Sequence, residues 1–207
     1  MNKRGKFIVL EGLDGSGKDT QLKLLYERLV ADGVDAVLTA EPTDFECGRM
    51  LRRALSGELD ASPAELAALF LTDRVKHNCA PDVGIRALLE KGQTVICGRY
   101  YYSSFAYQGI DTDINWVMDM NLNCPDIIKP DLCIFLDLSP ENCRERIEKG
   151  RDKTEIYEKV ETLRRVRSRF YDVFKLLDGK ENVKIVDAFG TVDQVFTRVY
   201  DAAKSIF

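Results

Sequence analysis

Apolar residues fall along this chain in two rhythms. Five short runs, at 6–10, 34–39, 94–98, 132–137 and 183–187, carry Val, Ile, Leu or Phe on consecutive positions. Such runs predict strands covered on both faces, as in a parallel sheet. Between them the apolar spacing lengthens to three and four. Residues 17–32 place Leu22, Leu25, Leu29 and Val30 on one side, and Gly33 follows, which predicts a helix closed by glycine. Ser62-Pro63-Ala64-Glu65 is a capping box with proline at the first helical position, and the helical pattern runs on through Leu66, Leu69, Phe70 and Val75. Further helices are predicted at about 81–91, 101–124, 140–149, 157–178 and 191–206. The alternation predicts an α/β fold over 1–207 as a single domain, a parallel sheet with helices on both faces. The polar stretch Gly150-Arg151-Asp152-Lys153-Thr154-Glu155 interrupts two of the helices and reads as a short lid, about 147–157.

The first strand runs into Glu11-Gly12-Leu13-Asp14-Gly15-Ser16-Gly17-Lys18-Asp19-Thr20 and then a helix. Gly12 and Gly17-Lys18 have P-loop spacing, and the strand–loop–helix setting that such a loop needs is present. Gly12, Gly15, Ser16 and Gly17 would turn backbone N–H groups toward a phosphate at the positive end of the helix dipole, and Lys18 would supply a point charge. The residue after that lysine is ordinarily Ser or Thr, whose hydroxyl meets Mg²⁺. Here it is Asp19, followed by Thr20. A carboxylate is a hard oxygen ligand, so Asp19 is the candidate metal ligand.

Composition narrows the classes. The chain has 207 residues, 45% of them hydrophobic and 31% charged, enough for one substantial core. A net charge of −4 argues against nucleic acid as a partner, which needs a positive field. No apolar run approaches the roughly 20 residues that span a bilayer, and no apolar signal region follows the basic N-terminus. Six cysteines without a CxxC pair read as reduced residues of a cytoplasmic protein, with Cys97 and Cys133 in the core. One histidine and no cysteine pair make a zinc site a poor fit.

Three further segments carry a resemblance. They are Leu69-Phe70-Leu71-Thr72-Asp73-Arg74, Val95-Ile96-Cys97-Gly98-Arg99-Tyr100 and Ser103-Ser104-Phe105-Ala106-Tyr107-Gln108-Gly109. With the glycine loop, Thr20-Gln21, Pro130-Asp131 and Leu136-Asp137, they make nearly the whole chain resemble the thymidylate kinase family. That resemblance implies a P-loop NTPase-type three-layer sandwich with a five-stranded parallel sheet. It also implies transfer of the ATP γ-phosphate to dTMP, with Mg²⁺, in a homodimer to which Trp116 and Met118 could contribute.

Site residues follow from the resemblance and from residue chemistry together. Phe70 and Arg74 are four apart on one helix face. A flat ring beside a planar donor fork suits a nucleobase, although spacing alone favours a core phenylalanine beside a solvated arginine. Arg99 ends a buried strand, where open α/β sheets bind ligands, and resembles the arginine that holds the acceptor phosphate. Ser103, Ser104, Tyr107 and Gln108 resemble the segment lining the nucleoside pocket, with Tyr107 screening out a ribose 2′-OH. Ser103 could equally cap its helix. Asp14 resembles the acid facing the acceptor sugar, or is a turn-former. Glu41-Pro42 resembles an Arg-Glu-Pro motif in which Ala40 replaces the arginine. Arg49 and Arg52 on the next helix could supply the missing charge, or be solvated. Tyr157 resembles a residue closing over the nucleotide. Among the lid cations Arg144, Arg146, Lys149, Arg151 and Lys153, Arg151 is the first choice to stabilise the transferring phosphoryl group, as an arginine finger in cis would.

The family pattern Asp-Arg reads Gly98-Arg99 here, and Asp19 is expected to replace the acid missing at 98. The alternatives are a deoxynucleoside kinase with Glu41 as base, and a degenerate module that binds nucleotide without turnover.

Overall fold

The computed structural model describes residues 4–150 and 159–207. The five expected strands are β1 (Phe7–Gly12), β2 (Ala36–Ala40), β3 (Thr94–Gly98), β4 (Leu132–Asp137) and β5 (Val183–Asp187). They pair in parallel in the order β2-β3-β1-β4-β5. Every residue of β1 and β3 is buried, and β4 is buried up to Leu136. In a pleated strand successive side chains face opposite ways, so this pattern means that helices cover both faces. The edge strands depart from the expectation of two-sided burial. In β5 only Val186 is buried, and β2 has no buried residue.

The helices are α1 (Lys18–Ala31), α2 (Glu46–Leu55), α3 (Pro63–Cys79), α4 (Ile85–Glu90), α5 (Tyr101–Asp111), α6 (Ile114–Leu122), α7 (Pro140–Gly150), α8 (Val160–Leu176) and α9 (Val192–Lys204). Leu22, Leu25 and Leu29 of α1 are buried as expected, whereas Val30 is 46% exposed. The capping box at Ser62 forms: Glu65 N donates to Ser62 Oγ, and Ser62 N to the Glu65 carboxylate. The single helix expected over 101–124 is two. Thr112 and Asp113 separate them, and the Asp113 carboxylate accepts from Asn115 N at 2.8 Å to start α6. None of the helices among the described residues is long and apolar enough to cross a membrane. All six cysteines are free, and Cys97 and Cys133 are buried.

A second capping box, Thr191 with Gln194, starts α9. Thr191→Ala removes one orphan-donor partner and is expected to cost about 1 kcal/mol in urea unfolding.

Strand order decides where a ligand can sit. The C-terminal ends of β2, β3 and β1 lie side by side, with Ala40, Gly98 and Leu10 in register. The chain leaves them as Glu41-Pro42, Arg99-Tyr100 and the glycine loop, so residues from three distant segments meet at one crevice, as α/β ligand sites require.

Candidate active site

The loop at the end of β1 is built for an anion. Gly15 and Gly17 adopt φ of 80° and 88°, a region open to glycine. A Cβ on Gly15 would lie 2.3 Å from the Cys143 carbonyl oxygen, so no larger residue fits beside α7. Ser16 Oγ is buried without a hydrogen-bond partner among the described residues. Lys18 is 8% exposed, and among the described residues its ion pair is with Asp19, at 3.8 Å. Burial and Arg99 push the Lys18 pKa down, against Asp14, Asp19 and Glu11. Among the described residues, a buried ammonium with one long pair and a buried hydroxyl without a partner leave the loop short of an acceptor, which a phosphate supplies. Asp19 and Thr20 face solvent at the first turn of α1. A Cβ at Gly98 would meet Leu22 Cδ2 at 3.1 Å, one turn of α1 beyond Asp19.

Arg99 stands beside this loop. It follows β3 with φ of 64°, left-handed for a non-glycine residue, and such strain is found where a site requires a fixed direction. Its guanidinium donates to Asp14 in a short hydrogen bond and to Ser103 Oγ at 3.1 Å. It lies over the Tyr107 ring at 5.3 Å, and Tyr107 O–H donates to the second Asp14 oxygen at 3.3 Å. Burial would raise the Asp14 pKa, but Arg99, Lys18 and the two hydrogen bonds outweigh it and hold the carboxyl below its ordinary value. Burial works against the charged guanidinium too, yet Asp14, Tyr107 and Glu11 keep the Arg99 pKa above its usual range. Both groups therefore stay charged through neutral pH.

A cavity of about 350 Å³ opens from Arg99 and Asp14. Phe70, Tyr100 and Tyr107 give it aromatic walls, and Ser103 and Gln108 of α5 line it beside them. Glu41 and Pro42 line it too, with Arg52 and Leu55 of α2 and Ser56 at that helix's C-cap. Arg49 does not line it; its guanidinium donates to the Asp44 carbonyl at 2.5 Å in an exposed position. Arg52, three residues on, is the cation of this helix in the cavity, tied to Pro42 O and Asp44.

Arg74 lines the cavity, but most of its donors are engaged. Nε and Nη2 meet Glu41 at 2.9 and 2.8 Å, Nη1 donates to Asn121 Oδ1 at 2.6 Å, and Nη2 to Ser104 Oγ at 3.2 Å. Ser104 thus sits behind Arg74, away from the cavity lining. His77 Nδ1 meets the other Glu41 oxygen at 3.1 Å, and its Nε2 meets Thr39 Oγ1 at 2.8 Å. His77 is therefore part of a buried polar network. Both oxygens of Glu41 are engaged, which leaves it poorly placed as the base of a nucleoside kinase.

On the other side of the glycine loop, Arg146 of α7 donates to Ser16 O at 3.2 Å and to Ala188 O at 3.5 Å. It spans the loop and the turn after β5, where Phe189 is 64% exposed. Arg151 and Tyr157, with most of the expected lid, lie outside the described residues.

Several residues in or behind the site carry weaker signals in the sequence. Leu55 and Ser56 share a face with Arg52 at spacings of three and four, a signal visible once Arg52 is chosen. Asn121 had none, since only packing of α6 against α3 brings it to Arg74. Glu11 did leave one, an acid within an apolar strand.

Comparison with known proteins agrees with this geometry. The family profile for thymidylate kinase matches residues 10–199. A probable thymidylate kinase of Pyrococcus horikoshii is 39% identical over 97% of this chain and 97% of its own. A thymidylate kinase of Leptospira interrogans is 36% identical over 87% of this chain and 89% of its own. The solved thymidylate kinase of Candida albicans superposes with a TM-score of 0.81 at 25% identity, over 98% of this chain and 92% of that one. A profile and relatives spanning almost the full length, on this fold and with these residues at one crevice, place the chain in the thymidylate kinase family.

Proposed function

We propose that this chain transfers the γ-phosphate of ATP to dTMP, giving ADP and dTDP on the route to dTTP, in the cytoplasm. One observation carries the residue roles: the Arg99 guanidinium is joined through Asp14 to the glycine loop, and both line an aromatic-walled cavity. Two anions held there would lie end to end.

The loop amides of Gly12, Gly15, Ser16 and Gly17, together with Lys18, hold the donor phosphates. Arg99 takes the acceptor phosphate, with Arg52 as a second positive charge at the cavity edge. Phe70 stacks on the base, and the part of Arg74 left open by Glu41 and Asn121 reads its edge. Asp14 and Tyr107 face the sugar, and Ser103 and Gln108 complete the wall. Arg146 bridges the loop and the turn at Ala188 on the donor side, and Arg151 is the lid residue proposed to reach the transferring group.

The donor set fits Mg²⁺. Asp19 is 89% exposed, with one long ion pair among the described residues, and Mg²⁺ takes one or two carboxylates with substrate oxygens and water. When bound through Asp19 it would neutralise charge on the donor phosphates. The acceptor is a monoester with a second pKa of about 6 and is already a nucleophile at neutral pH. No general base is needed, and catalysis rests on alignment and charge neutralisation. Trp116 at 43% exposure and Leu176 at 53% support a homodimer through α6 and α8.

Offering dTMP, dUMP and thymidine separately with ATP and Mg²⁺ tests the reading. ADP release is expected with dTMP and at background with thymidine. Turnover of thymidine alone would select the nucleoside kinase, and ATP binding without turnover of any acceptor the degenerate module.

A further inference from the structure

Glu11 is fully buried, accepts three hydrogen bonds and has no place in the mechanism above. We propose that Glu11 is a positioning residue that caps α5 from β1 and so sets Arg99 for the acceptor phosphate. The inference rests on the role given to Arg99.

The N-terminus of α5 has no side-chain cap of its own; its N-cap residue is Tyr100. Helix ends leave backbone N–H groups without intrahelical partners. Here the partner comes from another element. Glu11 Oε1 accepts from Tyr100 N at 2.8 Å and Ser103 N at 3.1 Å, and Oε2 from Ser103 Oγ at 2.6 Å. A hydroxyl or amide cap would not match three converging donors as a carboxylate does.

The same contacts grip Arg99 from both sides. Its own N–H donates to Leu10 O at 2.9 Å, and the next N–H, of Tyr100, goes to Glu11. Rotation of the Arg99 backbone takes place between those two amides, so two consecutive residues of β1 fix its left-handed conformation. The far end is held as well, because Ser103 Oγ, bound to Glu11, accepts from Arg99 Nη1. Three residues beyond Glu11, Asp14 pairs with the same guanidinium. Glu11 thereby ties the phosphate-binding loop to the acceptor-binding arginine through one rigid strand end. Burying a carboxylate is costly, and burial raises the Glu11 pKa against the pull of Arg99 and the three hydrogen bonds. An apolar residue would fill a strand core more cheaply, which suits a positioning role.

The test compares wild type, Glu11→Ala and Glu11→Gln, each with and without Arg99→Ala, by calorimetric Kd for dTMP and for ATP and by thermal melting. Glu11→Ala is expected to weaken dTMP about tenfold or more while ATP changes less than about threefold. Glu11→Gln should recover part of the loss, since its amide oxygen still accepts both backbone N–H groups while its NH₂ cannot accept from Ser103 Oγ. In the Arg99→Ala background, Glu11→Ala should add nothing to the dTMP Kd. An unchanged dTMP Kd, equal weakening of both ligands, or additive effects with Arg99→Ala would overturn the inference. If Glu11→Ala does not fold, Glu11→Asp, one methylene shorter, should show the same dTMP-selective loss, and a wild-type Kd there would overturn it too. Because the readout is binding, a wild type without dTMP turnover would overturn the proposed function and leave the positioning role of Glu11 intact.

Discussion

Arg99→Ala is expected to lower kcat/KM for dTMP by about 10²- to 10⁴-fold, with the KM for ATP nearly unchanged. The guanidinium lines the cavity and is held by Asp14 of the glycine loop and by Ser103. Arg99→Lys should recover only part of the loss, because an ammonium cannot make the planar two-point contact. Stability separates the two consequences of the change. At φ of 64° an alanine is still strained and a glycine is not, so Arg99→Gly should be more stable than Arg99→Ala by about 1 kcal/mol and equally inactive. Losing Arg99 also strips Asp14 of its main counter-charge. The folded-state pKa of Asp14 is lowered from 3.8, so the stabilisation is fully present above that value and disappears as pH falls through the depressed one. The stability gap between wild type and Arg99→Ala should therefore be widest at neutral pH and close in strong acid, as urea unfolding across pH would show. A variant retaining dTMP kcat/KM within tenfold would remove Arg99 from the acceptor site.

The features readable in advance were those encoded by local spacing. Consecutive apolar residues located all five strands, and the glycine loop and the Ser62 box declared themselves in a few residues each. The edge strands misled because Val and Ile runs look alike whether one face or two are covered, and coverage depends on sheet order. The break in 101–124 was signalled by Asp113, an N-cap type, but the surrounding apolar residues masked it. Separating Arg52 from Arg49 requires the rotational phase of α2, since residues three apart differ by about 60° around a helix. The commitment of Arg74 to Glu41 and Asn121 was beyond reach, because α3, α6 and the end of β2 meet only in the folded chain.

The second large effect is expected at Asp19. Asp19→Ser should reduce kcat by about 10²- to 10³-fold if this carboxylate holds the metal on the donor phosphates. Restoring the family's acid in Asp19→Ser/Gly98→Asp should recover at least about tenfold of that, since either position would supply one hard oxygen ligand beside the same phosphates. Packing bears on whether the rescue can work. The new Cβ at 98 would lie 3.1 Å from Leu22 Cδ2 and 3.5 Å from Ala40 Cβ. The first contact is with the end of a flexible side chain that can yield by a few tenths of an ångström, and the second is ordinary van der Waals distance. Gly98→Asp alone should therefore fold and keep activity, because Asp19 remains. Binding of Mn²⁺ to the ADP complex, followed by water proton relaxation, should weaken in Asp19→Ser and return in the double variant. That readout ties the kinetic loss to the ion and not to a disturbed helix start. Full activity in Asp19→Ser would mean that a serine hydroxyl, as in the usual P-loop, holds the ion with the phosphates and that no carboxylate is needed at 19. Loss without rescue, with Mn²⁺ affinity intact, would make Asp19 a partner of Lys18 instead.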